Sequence, residues 1–126
     1  MDESGSVSSV DFTREKDFVA ALADSFSNFG PNGVQMGVIT FSTDAYLDIK
    51  LNEHSTKDSF MAAVRNIRQN SGSTYTDKAL KLAKTGLFQT SNGARPGVTK
   101  MLLIITDGAS SGNYRLCKLQ LRISEK

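Results

Sequence analysis

The stretch Lys100-Met101-Leu102-Leu103-Ile104-Ile105-Thr106-Asp107-Gly108 reads as a buried strand that delivers a carboxylate to its own end. Five apolar residues follow one another without a break, too few for a helix buried on all sides. Runs of this kind are strands covered on both faces, as in the middle of a parallel sheet. Asp107-Gly108 then leaves at the carboxyl end, where ligands sit in open α/β sheets.

Working outward, the segments on either side alternate in period. Ser8-Ser9-Val10-Asp11 is a capping box, and Val19, Leu22, Phe26 and Phe29 share one helical face, which predicts a helix over 9–29 ended by Gly30-Pro31-Asn32-Gly33. Val34 to Ser42 is β-branched and apolar, a strand. After a turn at Ser42-Thr43-Asp44, Tyr46 to Leu51 alternates, with Leu47, Ile49 and Leu51 on one face and Tyr46, Asp48 and Lys50 on the other. That pattern predicts a half-exposed edge strand hairpinned to its predecessor. Ser55-Thr56-Lys57-Asp58 opens a helix near 56–69, Asn70 to Thr74 is a polar loop, and Ala79, Leu80, Ala83 and Leu87 mark a helix near 76–88. Leu116 to Ile123 fits a strand or a helical face equally well. Helices alternating with strands indicate a layered α/β fold.

Composition narrows the chemistry. At 126 residues the chain suits one domain. Fifteen Lys and Arg against thirteen Asp and Glu leave a net charge of +2, too balanced for a nucleic-acid binder. One cysteine excludes an internal disulfide framework and a cysteine-based metal site, and one histidine makes a His-rich metal site or a Ser-His-Asp triad improbable. No apolar run reaches the roughly 20 residues of a membrane span, and no signal-peptide pattern precedes Asp2. The chemistry must rest on oxygen ligands.

Three pieces supply them. Asp2-Glu3-Ser4-Gly5-Ser6 offers a carboxylate and two hydroxyls at alternate positions; Gly72-Ser73-Thr74-Tyr75-Thr76 offers hydroxyls ahead of a helix; Asp107 ends the buried strand. Each alone has a plainer reading: a solvated turn, a helix cap by Thr74 with Asp77, or a turn leaving a strand. Together they form the ligand set of a hard cation, Mg2+ first, with Mn2+ or Ca2+ as alternatives.

The joint pattern resembles the von Willebrand factor A domain and its metal-ion-dependent adhesion site, in which Asp-x-Ser-x-Ser, a later threonine and an aspartate after the central strand converge. Here these are Asp2, Ser4 and Ser6, then Thr74, then Asp107. Gly30-Pro31-Asn32 before Val34–Phe41, Ser73-Thr74-Tyr75-Thr76 before Ala79-Leu80, and Ile104-Ile105-Thr106-Asp107-Gly108 extend the resemblance from Asp2 to about Ser110, closest to the A domains of matrilins and matrix collagens. It implies an open, mostly parallel, doubly wound Rossmann-like sheet flanked by helices. It also implies a non-enzymatic adhesion module. Ser4, Ser6 and Thr74 would bind Mg2+ (or Mn2+, with Ca2+ less suited) directly, Asp2 and Asp107 would act through water, and an Asp or Glu carboxylate of a protein partner would complete the octahedron. Collagens and other matrix proteins are among the partners implied, with an extracellular location. Tyr75 and Tyr114 would line the rim.

Two departures shape further expectations. In the family an apolar first strand precedes the Asp-x-Ser-x-Ser loop at the sheet's centre, whereas only Met1 precedes Asp2 here. Strands 34–42 and 100–106 are therefore expected to lack their central neighbour, and the Asp2 carboxylate to be poorly held. Residues 111–126 do not resemble the family's continuation. The expected organisation is a partial domain over 1–110 with a divergent tail over 111–126, truncated at both ends. Glu3 should face away from the metal, Asp77 should be solvated, His54 should sit in a solvated loop, and Cys117 is either buried or an unpaired thiol. Two other functions compete: a structural fragment that binds no metal, and a Mg2+-dependent phosphoryl-transfer enzyme built on Asp2 and Asp107.

Overall fold

The computed structural model describes residues 1–106 and the backbone of 119–123. Asp107, Tyr114 and Cys117, and most of the tail, lie outside the described residues.

Helix α1 (Ser9–Asp24) starts at Ser8, whose hydroxyl oxygen accepts from the Asp11 N–H at 3.2 Å, as the capping box predicts. It ends five residues earlier than the 9–29 expectation. The Ser25 hydroxyl takes the Leu22 carbonyl at 2.6 Å, and the Phe26 N–H makes a tight turn to Ala23 O. Serine competes for backbone acceptors in this way and so closes helices. Phe29 instead pairs with Val34 in an isolated bridge. Helix α2 (Lys57–Arg65) is capped by Thr56, which accepts from the Ser59 N–H at 3.3 Å, one residue later than the box read at Ser55. The two helices pack antiparallel and cap each other. Lys16 Nζ donates to Arg65 O and Ile67 O at the end of α2, and Lys57 Nζ donates to Asp24 O and Phe26 O at the end of α1. Lysines so placed satisfy carbonyls that a helix end leaves open.

Strands β1 (Val38–Phe41) and β2 (Ala45–Ile49) form the expected hairpin, shorter than the predicted 34–42 and 46–51 and with a changed register. The register shifts between Val38, which faces Ile49, and Ile39, which faces Leu47. Asp48 is the extra residue, and its Oδ2 accepts from the Thr40 N–H at 3.1 Å and from Thr40 Oγ1 at 2.5 Å. A one-residue slip reverses the faces. Ile49 therefore joins Val38, Phe12, Phe60 and Val64 in the core under α1 and α2. Leu47 packs with Ile39, Ala83 and Leu87 on the opposite side. The single apolar face expected for β2 is thus divided between the two layers. That opposite layer is α3 (Thr76–Leu82), continued by a π turn at Ala83–Leu87. Helices therefore cover both faces of the sheet.

Strand β3 (Lys100–Ile104) pairs antiparallel with β4 (Leu119–Ile123), so the open reading of the last stretch resolves to a strand. Residues 1–3 lie between β1 and β3. Met1 N donates to Ile39 O, Phe41 N to Met1 O, Glu3 N to Phe41 O, and Asp2 N to Ile105 O, all at 2.8–3.1 Å. This short segment runs parallel to β1, so strands 34–42 and 100–106 do share a neighbour at their carboxyl ends. Toward their amino ends an apolar cleft of about 580 Å3 opens between them, lined by Met1, Val19, Met36, Val38, Leu103 and Ile105 among others. Beside this cleft the β3 run is not covered on both faces: Met101 is 58% exposed, and only Ile104 and Ile105 are buried.

Candidate metal centre

The first loop begins where the central segment ends. Asp2 Oδ1 accepts from the Ser4 N–H at 2.9 Å, and Val7 N closes a turn on Ser4 O at 3.0 Å. Alternation along this extended start turns Asp2 and Ser4 one way and Glu3 the other. Ser4 Oγ and Ser6 Oγ stand 3.0 Å apart. Asp2 and Ser4 are fully buried whereas Ser6 is exposed, so the polar row runs from the interior to solvent. The expectation of a poorly held Asp2 carboxylate is overturned: its second oxygen accepts from Thr106 Oγ1 at 2.7 Å, and the backbone on both sides of it is paired.

The second loop is pinned on two sides. Gly5 N donates to Gly72 O at 2.8 Å, Ser73 N to Thr43 Oγ1 at 3.1 Å, and Tyr75 N to Ser42 O at 3.0 Å. Gly72 is required by contact, since a Cβ there would lie 2.4 Å from Thr43 Oγ1. The cap of α3 is Tyr75, without a side-chain bond, so Thr74 does not cap the helix. Thr74 is exposed, and no hydrogen bond reaches its hydroxyl among the described residues. Beside it Tyr75 is exposed, with Lys78 Nζ 4.8 Å from its ring centroid; the same ammonium bonds Thr43 O and Asp44 Oδ1. Asp77 is exposed, as expected. His54 lies in the exposed loop before α2, as expected, with its ring half-buried: Nδ1 lies 3.1 Å from Ser59 Oγ, and the ring meets Phe60 edge-on at 6.3 Å.

Asp2, Ser4, Ser6 and the Thr74 loop thus meet at the carboxyl ends of β1 and β3; Asp107, the next residue after Thr106, and Tyr114, expected at the rim, lie outside the described residues. Glu3, Gln69 and Thr106 were not singled out as parts of this site by their sequence context. Glu3 faces away from the hydroxyl row as expected, but it is fully buried, with Oε2 accepting from the Asn70 N–H at 2.9 Å. Burial pushes its pKa up, and the Asn70 hydrogen bond partly offsets this.

The donor set fits a small hard cation. Mg2+ holds six oxygens at about 2.0–2.1 Å in a near-ideal octahedron, so adjacent ligands lie about 2.9 Å apart. Ser4 Oγ and Ser6 Oγ are hydrogen-bonded to each other at 3.0 Å, so both hydroxyls lie close enough together to face one cation. Among the described residues no group of three or more His, Cys, Asp and Glu side chains that could hold a metal gathers anywhere, this site included.

A layered α/β domain that brings an aspartate, two serines and a threonine loop to the carboxyl ends of its strands falls in the class that binds ligands at that edge. The chain belongs to the von Willebrand factor type A domain family, whose sequence model matches residues 1–125. Its fold is that family's Rossmann-like α/β fold, here with a shortened sheet. Mouse collagen alpha-4(VI) chain is 35% identical over 113 residues, which are 90% of this chain and 5% of that one. Mouse von Willebrand factor A domain-containing protein 1 is 36% identical over 88% of this chain and 26% of its own length. Human collagen alpha-1(XX) chain is 37% identical over 87% of this chain and 8% of its own. The chain thus spans about a quarter or less of these relatives. Among solved structures, proximal thread matrix protein 1 from the mussel byssus superposes with a TM-score of 0.80 at 29% identity, over 90% of this chain and 30% of that one. A form of the same mussel protein with a zinc-occupied MIDAS motif also gives a TM-score of 0.80 at 29% identity, over 92% and 31%.

Proposed function

We propose that this domain is a divalent-cation-dependent protein-interaction module of the extracellular matrix. The observation that carries the reading is the hydrogen-bonded Ser4–Ser6 hydroxyl pair beside the buried Asp2 carboxylate, each of whose oxygens accepts a hydrogen bond. Ser4, Ser6 and Thr74 would hold Mg2+ or Mn2+ directly, with Asp2 and Asp107 behind it through water. Neutral direct ligands leave the cation's charge partly uncompensated, and the bound metal supplies a Lewis-acidic position for an Asp or Glu carboxylate of a partner. On this reading Tyr75 and Tyr114 would line the rim of that position. Binding of this kind asks for no nucleophile or general base, so the module is not an enzyme. Its relatedness to collagen chains favours an extracellular setting and a matrix partner, collagens included. Residues 1–110 would carry the cation site, and the divergent stretch 111–126 contributes β4 to the domain.

Thermal unfolding in EDTA and then in millimolar Mg2+ or Mn2+ tests this. A ligand at 100 times its dissociation constant adds about 2.7 kcal/mol, several degrees at this size. The rise should vanish in Ser4→Ala and in Asp107→Ala. A midpoint indifferent to both metals would overturn the reading.

A further inference from the structure

Gln69 follows α2 and is half-buried, and its amide nitrogen reaches three carbonyls of the first loop: Val7 O at 2.8 Å, Glu3 O at 3.3 Å and Ser4 O at 3.5 Å. Two further bonds join the same segments: the Asn70 N–H donates to Glu3 Oε2 at 2.9 Å in the same direction, and the Gly5 N–H donates back to Gly72 O at 2.8 Å. The loop carrying Ser4 and Ser6 and the loop leading to Thr74 are therefore cross-bonded along residues 69–72. Only a donor can serve at position 69, because all three acceptors there are carbonyls. The two carbonyls at its 3.3–3.5 Å reach flank the Ser4 residue itself, so the amide bears directly on the backbone that aims the Ser4 hydroxyl.

Resting on the metal reading above, we infer that Gln69 is a positioning residue for the cation. It clasps the Asp2–Val7 loop to the Thr74 loop, so that hydroxyls from two separate segments keep one fixed spacing. Groups that orient metal ligands without touching the metal typically change affinity by about 10–100-fold when removed.

The test uses Gln69→Met, which keeps the side-chain length and removes the donors, and Gln69→Glu, which keeps the shape and sets a carboxylate against three carbonyls. Two readouts are taken on the full chain. In EDTA, hydrogen exchange at the Gly5 and Asn70 amides is expected to quicken together in both variants, because each amide bonds across the clasp. With Mn2+, the dissociation constant is expected to rise about tenfold. A merely local role would quicken Asn70 alone and leave Mn2+ affinity within about twofold of the unsubstituted chain, and either result overturns the inference. Should the unsubstituted chain itself bind no Mn2+, the metal reading fails and the positioning role falls with it. That failure is distinguishable, because the coupled exchange is read without metal.

Discussion

Thr106 Oγ1 donates to Asp2 Oδ2 at 2.7 Å, joining residues 104 positions apart at the carboxyl ends of two neighbouring strands. Asp2 N to Ile105 O is the backbone bond beside it, so backbone and side chain fasten the same two segments. Thr106→Val keeps the shape and removes the donor. A hydrogen bond to a buried charged group is worth about 1.5–3 kcal/mol, and the variant is expected to lose about that much in denaturant titrations in EDTA. Thr106→Ser, which restores the hydroxyl, should recover most of it. Equal losses in both variants would assign the effect to the methyl group instead.

Thr74 separates folding from binding. Its side chain is exposed and its hydroxyl has no hydrogen bond among the described residues. Exposed substitutions of this kind change stability by about 0.5 kcal/mol or less. Thr74→Val should therefore melt with the unsubstituted chain in EDTA and show a clearly smaller rise when Mg2+ is added. A drop in the EDTA midpoint of more than a few degrees would mean that the hydroxyl serves the fold.

Much of this was legible in the sequence, and the misses have two causes. Spacing in Asp2-x-Ser4-x-Ser6 fixed which side chains share a face, because alternation in extended chain is geometric. The apolar run from Met101 marked a strand, and the 42–44 turn marked a hairpin. What failed depended on a competing hydrogen bond. Helix α1 stopped where the Ser25 hydroxyl took a carbonyl, and β2 changed faces where the Asp48 carboxylate took the Thr40 N–H. The anchoring of Asp2 by Thr106 was invisible for another reason, since it joins segments that only the folded sheet brings together.

Glu3 carries a pH signature. Its carboxyl is buried, with one oxygen on the Asn70 N–H and the other, Oε1, without a hydrogen bond among the described residues, and burial raises its pKa above the ordinary glutamate value. The folded state then holds the proton more tightly than the unfolded one, so this group's contribution to stability is largest at acid pH. It declines as pH rises from the ordinary value through the raised one. In EDTA, Glu3→Gln should flatten that decline and melt higher than the unsubstituted chain at pH 7, by about 4 °C if the relief is about 1 kcal/mol. The two proteins should converge near pH 4. A gap that widens toward acid pH would reverse the assignment.

Gly72 and Thr43 meet so closely that a methyl group decides the position of the second loop. A Cβ on residue 72 would lie 2.4 Å from Thr43 Oγ1 and 3.2 Å from Thr43 N, while the same Oγ1 accepts the Ser73 N–H. Gly72→Ala must push Thr43 off its rotamer or push the loop outward, and overpacking of this sort costs about 1–3 kcal/mol. Thr43→Ala removes the oxygen and its bond, at about 1 kcal/mol. Because the Gly72→Ala clash is with the atom that Thr43→Ala deletes, the double variant should lose clearly less than the two single losses together. Melting the four proteins in EDTA reads this coupling, and strict additivity would show that the loop tolerates the methyl by another route. The loop that Thr43 holds also carries Thr74. Gly72→Ala should therefore weaken the Mg2+-induced rise, and the double variant should not restore it, because the Ser73 anchor is then gone.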